Sequence, residues 1–191
     1  MHNYLKGKVV VVTGAAGGFG RLVAIKSLEL GAAVSCSDID EKALSQLVEG
    51  LEADGSRVMG VKADVSKLGE VQSLVAKTTE QFGQVDVMIN NAGIMPLAFF
   101  SDHLNATDAW DRCIDINIKG VLNGITAVYD QMIDQGQGHI VNLSSIYGNY
   151  PVAGAGVYGA SKAAVNFLSE SLRVDSQGKI KVTIVKPTGV P

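Results

Sequence analysis

The sequence predicts a three-layer α/β/α domain built on a doubly wound parallel sheet. Short runs of β-branched residues alternate with longer stretches whose apolar residues recur at helical spacing. Of the 191 residues, 47% are hydrophobic and 22 are glycine, a composition that can bury one core and favours helices packed closely on a sheet. We therefore expect a single domain over residues 1–191.

Six short apolar runs are predicted to form the strands. The first of them, residues 8–13, is almost continuously apolar, as expected for a strand covered on both faces. Because a predicted helix joins each consecutive pair, the strands are expected to be parallel and in the spatial order 3-2-1-4-5-6. The predicted strands cover residues 8–13, 33–37, 57–62, 85–89, 139–143 and 179–185.

The connecting helices are identified by apolar residues that recur every three or four positions. In the first helix this pattern stops at Gly31, a residue type that commonly ends helices. Asp40 stands where the second helix begins and is predicted to be its N-cap. The predicted helices cover residues 21–30, 40–51, 71–82, about 106–135 and about 157–174.

Charge and cysteine content exclude several classes of protein. The formal net charge is −3, without a basic stripe, so neither nucleic acid nor an acidic membrane surface is an expected partner. The apolar runs are too short to span a bilayer, and residues 1–8 lack the layout of a secretory signal. Cys36 and Cys113 are far apart, which predicts no disulfide and a cytoplasmic location. No histidine has a partner at metal-ligand spacing, so no metal site is predicted.

A glycine-rich turn, TGAAGGFG at residues 13–20, joins the first strand to the first helix. It fits TGxxxGxG through Gly14, Gly18 and Gly20, and it also fits TGxxGxxG through Gly17. Such a turn lets the backbone approach a pyrophosphate, whose charge is favoured at a helix N-terminus. A tight turn with close packing of helix on sheet is the alternative. The position after the first strand favours the cofactor interpretation.

Two acidic residues follow the next strands. A carboxylate at Asp38 could accept hydrogen bonds from the adenosine ribose hydroxyls and repel a 2′-phosphate. Because Ile39 and Asp40 offer no positive charge for such a phosphate, we expect NAD(H) to be preferred over NADP(H). The alternative role for Asp38 is a solvated turn acid or helix cap. Asp64 is expected to be a turn residue or cap that could also reach the adenine amino group.

Tyr158 and Lys162 are four residues apart at the start of a predicted helix, so both side chains leave one face. A tyrosine hydroxyl ordinarily titrates at about 10, and a nearby ammonium group stabilises its phenolate. A surface pair is the alternative, since this spacing also occurs by chance. Ser145, at the end of the fifth strand, could bind a substrate oxygen or cap a turn.

Asparagines occupy two further positions of interest. Asn117 lies inside the long predicted helix, where asparagine is mildly unfavourable. It is expected to perturb the backbone and hold a water, or else to be a polar residue on the helix face. Residues 90–93, NNAG, follow the fourth strand at the sheet edge where ligands gather, although Asn and Gly are also common turn residues.

The order of these motifs along residues 6–191 strongly resembles the short-chain dehydrogenase/reductase family, in its shorter, non-extended branch. The motifs are TGAAGGFG, Asp38, ADV at 63–65, NNAG, Asn117, IVNLSS, YGASK and KPTG at 186–189. The resemblance implies a Rossmann fold and an oxidoreductase that transfers a hydride between NAD(H) and a secondary alcohol or ketone. It implies a homodimer or homotetramer paired through the long helix and the helix carrying Tyr158.

The resemblance also implies roles for individual residues. Tyr158 would be the general acid/base, and Lys162 would be its electrostatic partner and a donor to the nicotinamide ribose. Ser145 would orient the substrate oxygen, and Asn117 would anchor a water-linked proton relay. The implied cofactor-binding positions are Gly14, Gly18, Phe19, Gly20, Asp38, Ile39, Asp64, Val65, Asn91, Ala92, Gly93, Tyr158, Lys162, Pro187 and Gly189.

One departure from the family pattern concerns the end of the sequence. The family commonly has Pro-Gly after the sixth strand, then a substrate-covering segment, a seventh strand and a tail. Here Pro187-Thr188-Gly189 stands at that point and the sequence ends at Pro191, so most of the lid and the seventh strand are expected to be missing.

Six residues expected near the substrate are mostly apolar, which predicts a neutral alcohol or ketone. The six residues are Met95, Phe99, Ile146, Tyr147, Tyr150 and Val152.

Two alternatives to this enzyme are a non-catalytic dinucleotide-binding scaffold and an isomerase or dehydratase that uses NAD transiently.

Overall fold

The computed structural model describes residues 3–51 and 57–188. Over these residues it has one sheet of six parallel strands in the order β3-β2-β1-β4-β5-β6, which confirms the predicted order. Each strand end lies within two residues of its predicted position. The strands are β1 (Val9–Thr13), β2 (Ala33–Asp38), β3 (Val58–Lys62), β4 (Val87–Asn90), β5 (Gly138–Leu143) and β6 (Ile180–Val185).

In the part of the chain that the structure describes, six α-helices accompany the sheet, at the places where the sequence predicts helices. The second begins as predicted, because Asp40 Oδ1 accepts a hydrogen bond of 3.0 Å from the backbone N–H of Ala43. None of the helices in the described residues has the length and hydropathy needed to cross a membrane. The helices are α1 (Gly18–Glu29), α2 (Glu41–Leu51), α3 (Leu68–Phe82), α4 (His103–Ile114), α5 (Gly120–Asp134) and α6 (Gly156–Asp175).

The long helix predicted over residues 106–135 is divided by a π-helical turn, Asp115–Lys119, between α4 and α5. Asn117 is at the middle of this turn and its side chain is completely buried. A single π turn widens the helix locally and is frequent at functional sites. The backbone perturbation expected at Asn117 is therefore present, and the alternative of a simple polar residue on the face of a regular helix is wrong.

The apolar core lies on both faces of the sheet. Val11 belongs to the cluster shared with α3, α5 and α6, whereas its neighbours Val10 and Val12 belong to the cluster shared with α1 and α2. Alternate side chains of a strand point to opposite faces, so a central strand with helices on both sides must be apolar at every position. This arrangement places the carboxyl ends of β1, β2, β4 and β5 side by side at one edge.

Candidate active site

A cleft runs along the carboxyl edge of the sheet. Two adjoining cavities, of about 460 and 450 Å³, share Phe19, Asn91, Gly93 and Ile94 in their walls. One cavity is lined by the glycine-rich turn and the ends of β2 and β3, the other by the end of β5 and the start of α6. In doubly wound sheets, ligands bind at this edge, where neighbouring connections diverge to opposite faces.

Two glycines close the turn after β1. A Cβ added to Gly20 would overlap the carbonyl oxygen of Gly14, and one added to Gly14 would lie 2.9 Å from Cα of Ala92. Gly14 also has a φ of 63°, a region that favours glycine. These two positions therefore bring α1 directly against the end of β1 and the loop after β4. The close-packing alternative describes Gly14 and Gly20 well.

The other two glycines of the turn have a different environment. A Cβ added to Gly17 or Gly18 would meet no atom of the described residues within 4 Å. Both glycines line the cleft at the N-terminal end of α1, where no described side chain caps the helix. Backbone N–H groups in the first turn of a helix lack intrahelical partners and favour an anion. An open cradle of backbone at this point fits a pyrophosphate group.

Asp38 ends β2 with its carboxylate held by backbone donors. The N–H of Ala16 donates to Oδ2 and the N–H of Asp40 donates to Oδ1, each at 3.0 Å. Asp38 and its neighbour Ile39 line the cleft. Two carboxylate oxygens can accept about four hydrogen bonds, so the Asp38 carboxylate retains acceptor sites for hydroxyl groups. Asp38 thus combines the turn role with a position beside the glycine cradle.

Asp64 also has the turn role that the sequence predicts. Its Oδ1 accepts hydrogen bonds from the backbone N–H and the hydroxyl of Ser66, at 2.9 and 2.7 Å. Asp64 and Val65 line the same end of the cleft as Asp38. A side chain at Gly120 would collide with Val65, because its Cβ would be 2.8 Å from Val65 Cγ2.

Asn91 fixes the loop after β4 against the glycine-rich turn. Its Nδ2 donates to the carbonyl oxygens of Thr13 and Gly14, at 2.9 and 3.1 Å. In return, Thr13 Oγ1 accepts from the backbone N–H groups of Asn91 and Ala92, at 3.1 and 3.2 Å. The side chain of Asn91 therefore holds two walls of the cleft together.

Ser145, Tyr158 and Lys162 line one cavity, as the sequence predicts. Lys162 Nζ lies 5.7 Å from the centre of the Tyr158 ring and donates a 2.7 Å hydrogen bond to the Leu143 carbonyl oxygen. Ser145 Oγ accepts a hydrogen bond of 3.2 Å from the backbone N–H of Tyr147. Because the oxygen acts as acceptor there, the Ser145 hydroxyl keeps its hydrogen for donation to a ligand.

Burial alters the acidity of Lys162. Its side chain is almost fully buried, and loss of hydration lowers the pKa of Lys162 to about 8, although neighbouring Cys113 acts in the opposite direction. A Cβ added to Gly93 would lie 3.4 Å from Lys162 Nζ and 3.1 Å from Asn117 Oδ1. The absence of a side chain at Gly93 therefore leaves room beside the ammonium group.

This lowered pKa predicts how the stability of the protein depends on pH. Between about pH 8 and 10.5, the unfolded chain still holds the Lys162 proton that the native protein has lost, so wild-type stability gains from a rise in pH. Below pH 8 both states are protonated, and the full cost of burying the ammonium group is present. We expect the melting temperature of Lys162→Met, relative to wild type, to fall between pH 8 and 10.5.

Melting curves of both proteins at pH 7, 9 and 10.5 check this expectation. Lys77→Met is the matched control, because it removes a lysine of α3 that stays exposed in the native protein. A Lys162→Met difference that stays constant over this range would contradict the expectation.

The remaining predicted residues are only partly in the cleft. Phe19 and Pro187 line it, whereas Gly189 lies outside the described residues. Of the six residues expected near the substrate, Met95, Ile146 and Tyr147 line the cavity. The described wall does not include the other three, Phe99, Tyr150 and Val152, although the Tyr150 ring packs against that of Tyr147 with centroids 6.3 Å apart.

Sequence reasoning missed several wall residues. Each lies within or directly beside one of the sequence motifs, so this place was the one available signal. They are Ile94, Leu143, Ser144 and Thr188. Within residues 3–51 and 57–188, no group of three or more His, Cys, Asp or Glu side chains could hold a metal ion.

Comparisons with known proteins agree with this geometry. The family model described as short chain dehydrogenase matches residues 8–191. Glycine betaine reductase ATRR of Emericella nidulans is 38% identical over 96% of this chain, which spans 14% of that protein. NADP-dependent 3-hydroxy acid dehydrogenase YdfG of Salmonella typhi is 34% identical over 94% of this chain and 71% of its own length.

Among solved structures, a short chain dehydrogenase/reductase from Burkholderia phymatum in complex with NAD superposes with a TM-score of 0.93. It is 37% identical, and the match covers 98% of this chain and 67% of that one.

Proposed function

Because the chain belongs to the short-chain dehydrogenase/reductase family, we propose that it transfers a hydride between NAD(H) and a neutral secondary alcohol or ketone. One observation carries this proposal. The cavity lined by Ser145, Tyr158 and Lys162 adjoins the open backbone cradle at Gly17 and Gly18. A substrate beside Tyr158 would therefore lie next to a dinucleotide bound along the cleft.

In this proposal the side chains hold and move a proton at the substrate oxygen. When bound, the nicotinamide dinucleotide supplies or accepts the hydride. In the direction of reduction, Tyr158 Oη gives its proton to the carbonyl oxygen, and in oxidation it takes the proton from the hydroxyl. The Lys162 ammonium stabilises the phenolate that remains. Ser145 donates its hydroxyl hydrogen to the same substrate oxygen and orients it.

The chain's own residues also account for where the cofactor would bind. The Gly17–Gly18 backbone and the first turn of α1 would hold the pyrophosphate. The Asp38 carboxylate would accept hydrogen bonds from the adenosine ribose hydroxyls. Lys162, beside Tyr158, would donate to the other ribose.

The walls of the catalytic cavity support a neutral substrate. Met95, Ile146 and Tyr147 contribute mostly apolar surface. Lys162 is the one Asp, Glu, Lys or Arg side chain in the described wall, and it already donates to a carbonyl oxygen. A substrate carboxylate or phosphate would thus lack a bidentate partner such as arginine.

The proposed preference for NAD rests on Asp38 and not on the relatives, one of which, YdfG, is named as NADP-dependent. A carboxylate at the ribose would repel a 2′-phosphate, and at about 4 Å this repulsion corresponds to roughly 100-fold or more in affinity. We expect Asp38→Asn, which keeps the shape and removes the charge, to bring the two cofactors within about tenfold of each other.

The experiment measures NADH or NADPH absorbance with a panel of neutral secondary alcohols and ketones. Wild type should turn over several of them with NAD(H) and favour it over NADP(H). Asp40→Asn is the matched control, because it removes the adjacent charge while keeping a good helix cap, and it should leave the preference unchanged. An absence of turnover over the whole panel would contradict the proposed activity. Equal efficiency of wild type with both cofactors would contradict the role of Asp38.

We further propose a homodimer or homotetramer paired through α5 and α6. A groove between these helices is lined by Leu122, Ile125 and Leu168, and Leu122 and Phe167 are exposed. Exposed apolar patches of this kind mark protein–protein contacts. Sedimentation velocity at micromolar concentration should show the assembly, and a monomer would contradict it.

A further inference from the structure

A buried hydrogen-bond network joins the π-helical turn to the helix that carries Tyr158 and Lys162. Asn117 Nδ2 donates to Ser161 Oγ at 3.0 Å, and Ser161 Oγ donates to the Tyr158 carbonyl oxygen at 2.7 Å. Ser161 lies directly before Lys162 on α6, but it does not line the cavity within the described residues. Ser161 therefore contacts Asn117 and the backbone of Tyr158, but it lies outside the cavity that would hold the substrate.

The direction of each bond in this network is determined. The backbone N–H of Ile94 donates to Asn117 Oδ1 at 2.9 Å, so the amide nitrogen must face the other way. Asn117 Nδ2 then donates to the Ile94 carbonyl oxygen and to Ser161 Oγ. A serine hydroxyl has one hydrogen, and Ser161 gives it to the Tyr158 carbonyl, so toward Asn117 it can act as an acceptor.

Bulk solvent does not reach the bond between Asn117 and Ser161. Asn117 is completely buried and Ser161 is 1% exposed. Without the Ser161 oxygen, one hydrogen of the Asn117 amide would be left with the thiol of Cys113, 3.3 Å away, which is a weak acceptor. An unsatisfied buried donor is costly, so the amide and the first turn of α6 would have to shift.

We propose that Ser161 is a positioning residue that holds the Tyr158 turn of α6 at a fixed place relative to Asn117. This inference rests on the proposed hydride transfer, and it adds a group whose role is to position others. Tyr158 must reach the substrate oxygen within hydrogen-bond distance, and small displacements of a catalytic group lower the rate strongly. The expected consequence is a loss in kcat with little change in KM.

The same helix provides a matched control two turns further along. Ser169 Oγ donates to the Val165 carbonyl oxygen at 2.7 Å and accepts from Asn142 Nδ2 at 2.8 Å. Ser169 is completely buried, and its partner Asn142 belongs to β5. Ser161 and Ser169 therefore make the same two kinds of bond in the same helix, but only the bonds of Ser161 lead to Tyr158.

The test compares Ser161→Ala, Ser169→Ala, Asn117→Ala and the double variant Ser161→Ala/Asn117→Ala. Melting temperatures measure the structural cost, which should be similar for the two serine variants. We expect Ser161→Ala to lower kcat about tenfold, with KM for both substrates within about twofold, and Ser169→Ala to leave kcat within about twofold. In the Asn117→Ala background, Ser161→Ala should lower kcat no further, because the two residues act as one unit.

A readout independent of turnover is the side-chain amide signal of Asn117 in a nitrogen–proton correlation spectrum. Ser161→Ala should shift this signal and leave that of Asn142 in place, and Ser169→Ala should do the reverse.

Equal kcat values for the two serine variants, or full additivity of Ser161→Ala and Asn117→Ala, would overturn the positioning role. If wild type itself shows no NAD-linked turnover, the proposed function fails, and the positioning role fails with it. Normal wild-type turnover with unchanged kcat in Ser161→Ala overturns the positioning role alone.

Discussion

Tyr158→Phe is expected to lower kcat about 1,000-fold and to change cofactor affinity by no more than about fivefold. A positioned acid or base contributes roughly 10²–10⁴ to the rate, and the substitution removes the one group proposed to carry the proton. The ring itself remains, with its contacts to Lys162 Nζ and to the Tyr147 ring, so the cavity should keep its shape.

Steady-state kinetics measure the loss, and quenching of intrinsic fluorescence by NADH measures cofactor binding. Tyr147→Phe is the matched control. The Tyr147 ring packs edge-on against Tyr158, with centroids 6.3 Å apart, and lines the same cavity. Removal of its hydroxyl should change kcat by less than about tenfold. Turnover by Tyr158→Phe at the wild-type rate would show that the proton moves by another route.

The sequence allowed a correct prediction of the sheet and of which loops meet at its edge. Parallel strands with helical crossovers bring every strand end to the same side, so Asp38, Asn91 and Ser145 could be grouped without knowledge of any distance. A perturbed backbone at Asn117 was one of the two alternatives that the sequence offered, because asparagine is mildly unfavourable inside a helix.

The path of each loop could not be predicted, and it decides which side chains line the cavity. The short turn Ile146–Gly148 packs on α6 through two glycines. A Cβ on Gly148 would lie 2.8 Å from the Lys162 carbonyl carbon, and one on Gly159 would lie 2.8 Å from the Tyr147 carbonyl oxygen. This tight contact holds the turn so that Tyr147 lines the wall, as expected, and Tyr150 does not. It is tertiary packing, which a one-dimensional pattern of apolar residues does not encode.

The network through Ser161 was hidden for a related reason. Serine within a helix usually bonds back to a carbonyl of the preceding turn, and Ser161 does so. Its second bond comes from Asn117, 44 positions earlier in the chain, and exists because α6 packs beside the π-helical turn. The predicted roles of Tyr158 and Lys162 thus depend on neighbours that carry no sequence signature of their own.

Gly20→Ala and Gly17→Ala are expected to separate the structural and the cofactor-binding parts of the glycine-rich turn. A Cβ on Gly20 would overlap the Gly14 carbonyl oxygen and lie 2.6 Å from Asn91 Nδ2, both of which belong to the fixed walls of the cleft. Overpacking against backbone should lower the melting temperature of Gly20→Ala by roughly 5–10 °C. Displacement of the cradle should weaken NAD binding by more than about 100-fold.

Gly17→Ala adds the same methyl group where the described residues leave open space. Gly17 has φ −147° and ψ 175°, an extended conformation that alanine adopts without strain, and it caps α1. Alanine is a poorer cap than glycine, so a fall in melting temperature of at most a few degrees is expected. The methyl group would nevertheless stand in the cleft and should weaken NAD binding about tenfold.

Calorimetric titration with NAD and melting curves of both variants provide the comparison. If Gly17→Ala bound NAD as wild type does, the open space beside Gly17 would not be the pyrophosphate site, and the cofactor would have to lie elsewhere along the cleft. If Gly20→Ala kept both its stability and its affinity, α1 could move away from β1 without cost. The turn would then not be the rigid element that positions the cofactor against Tyr158. The two glycines therefore test, with one added carbon each, whether the same short turn both closes the fold and holds the dinucleotide.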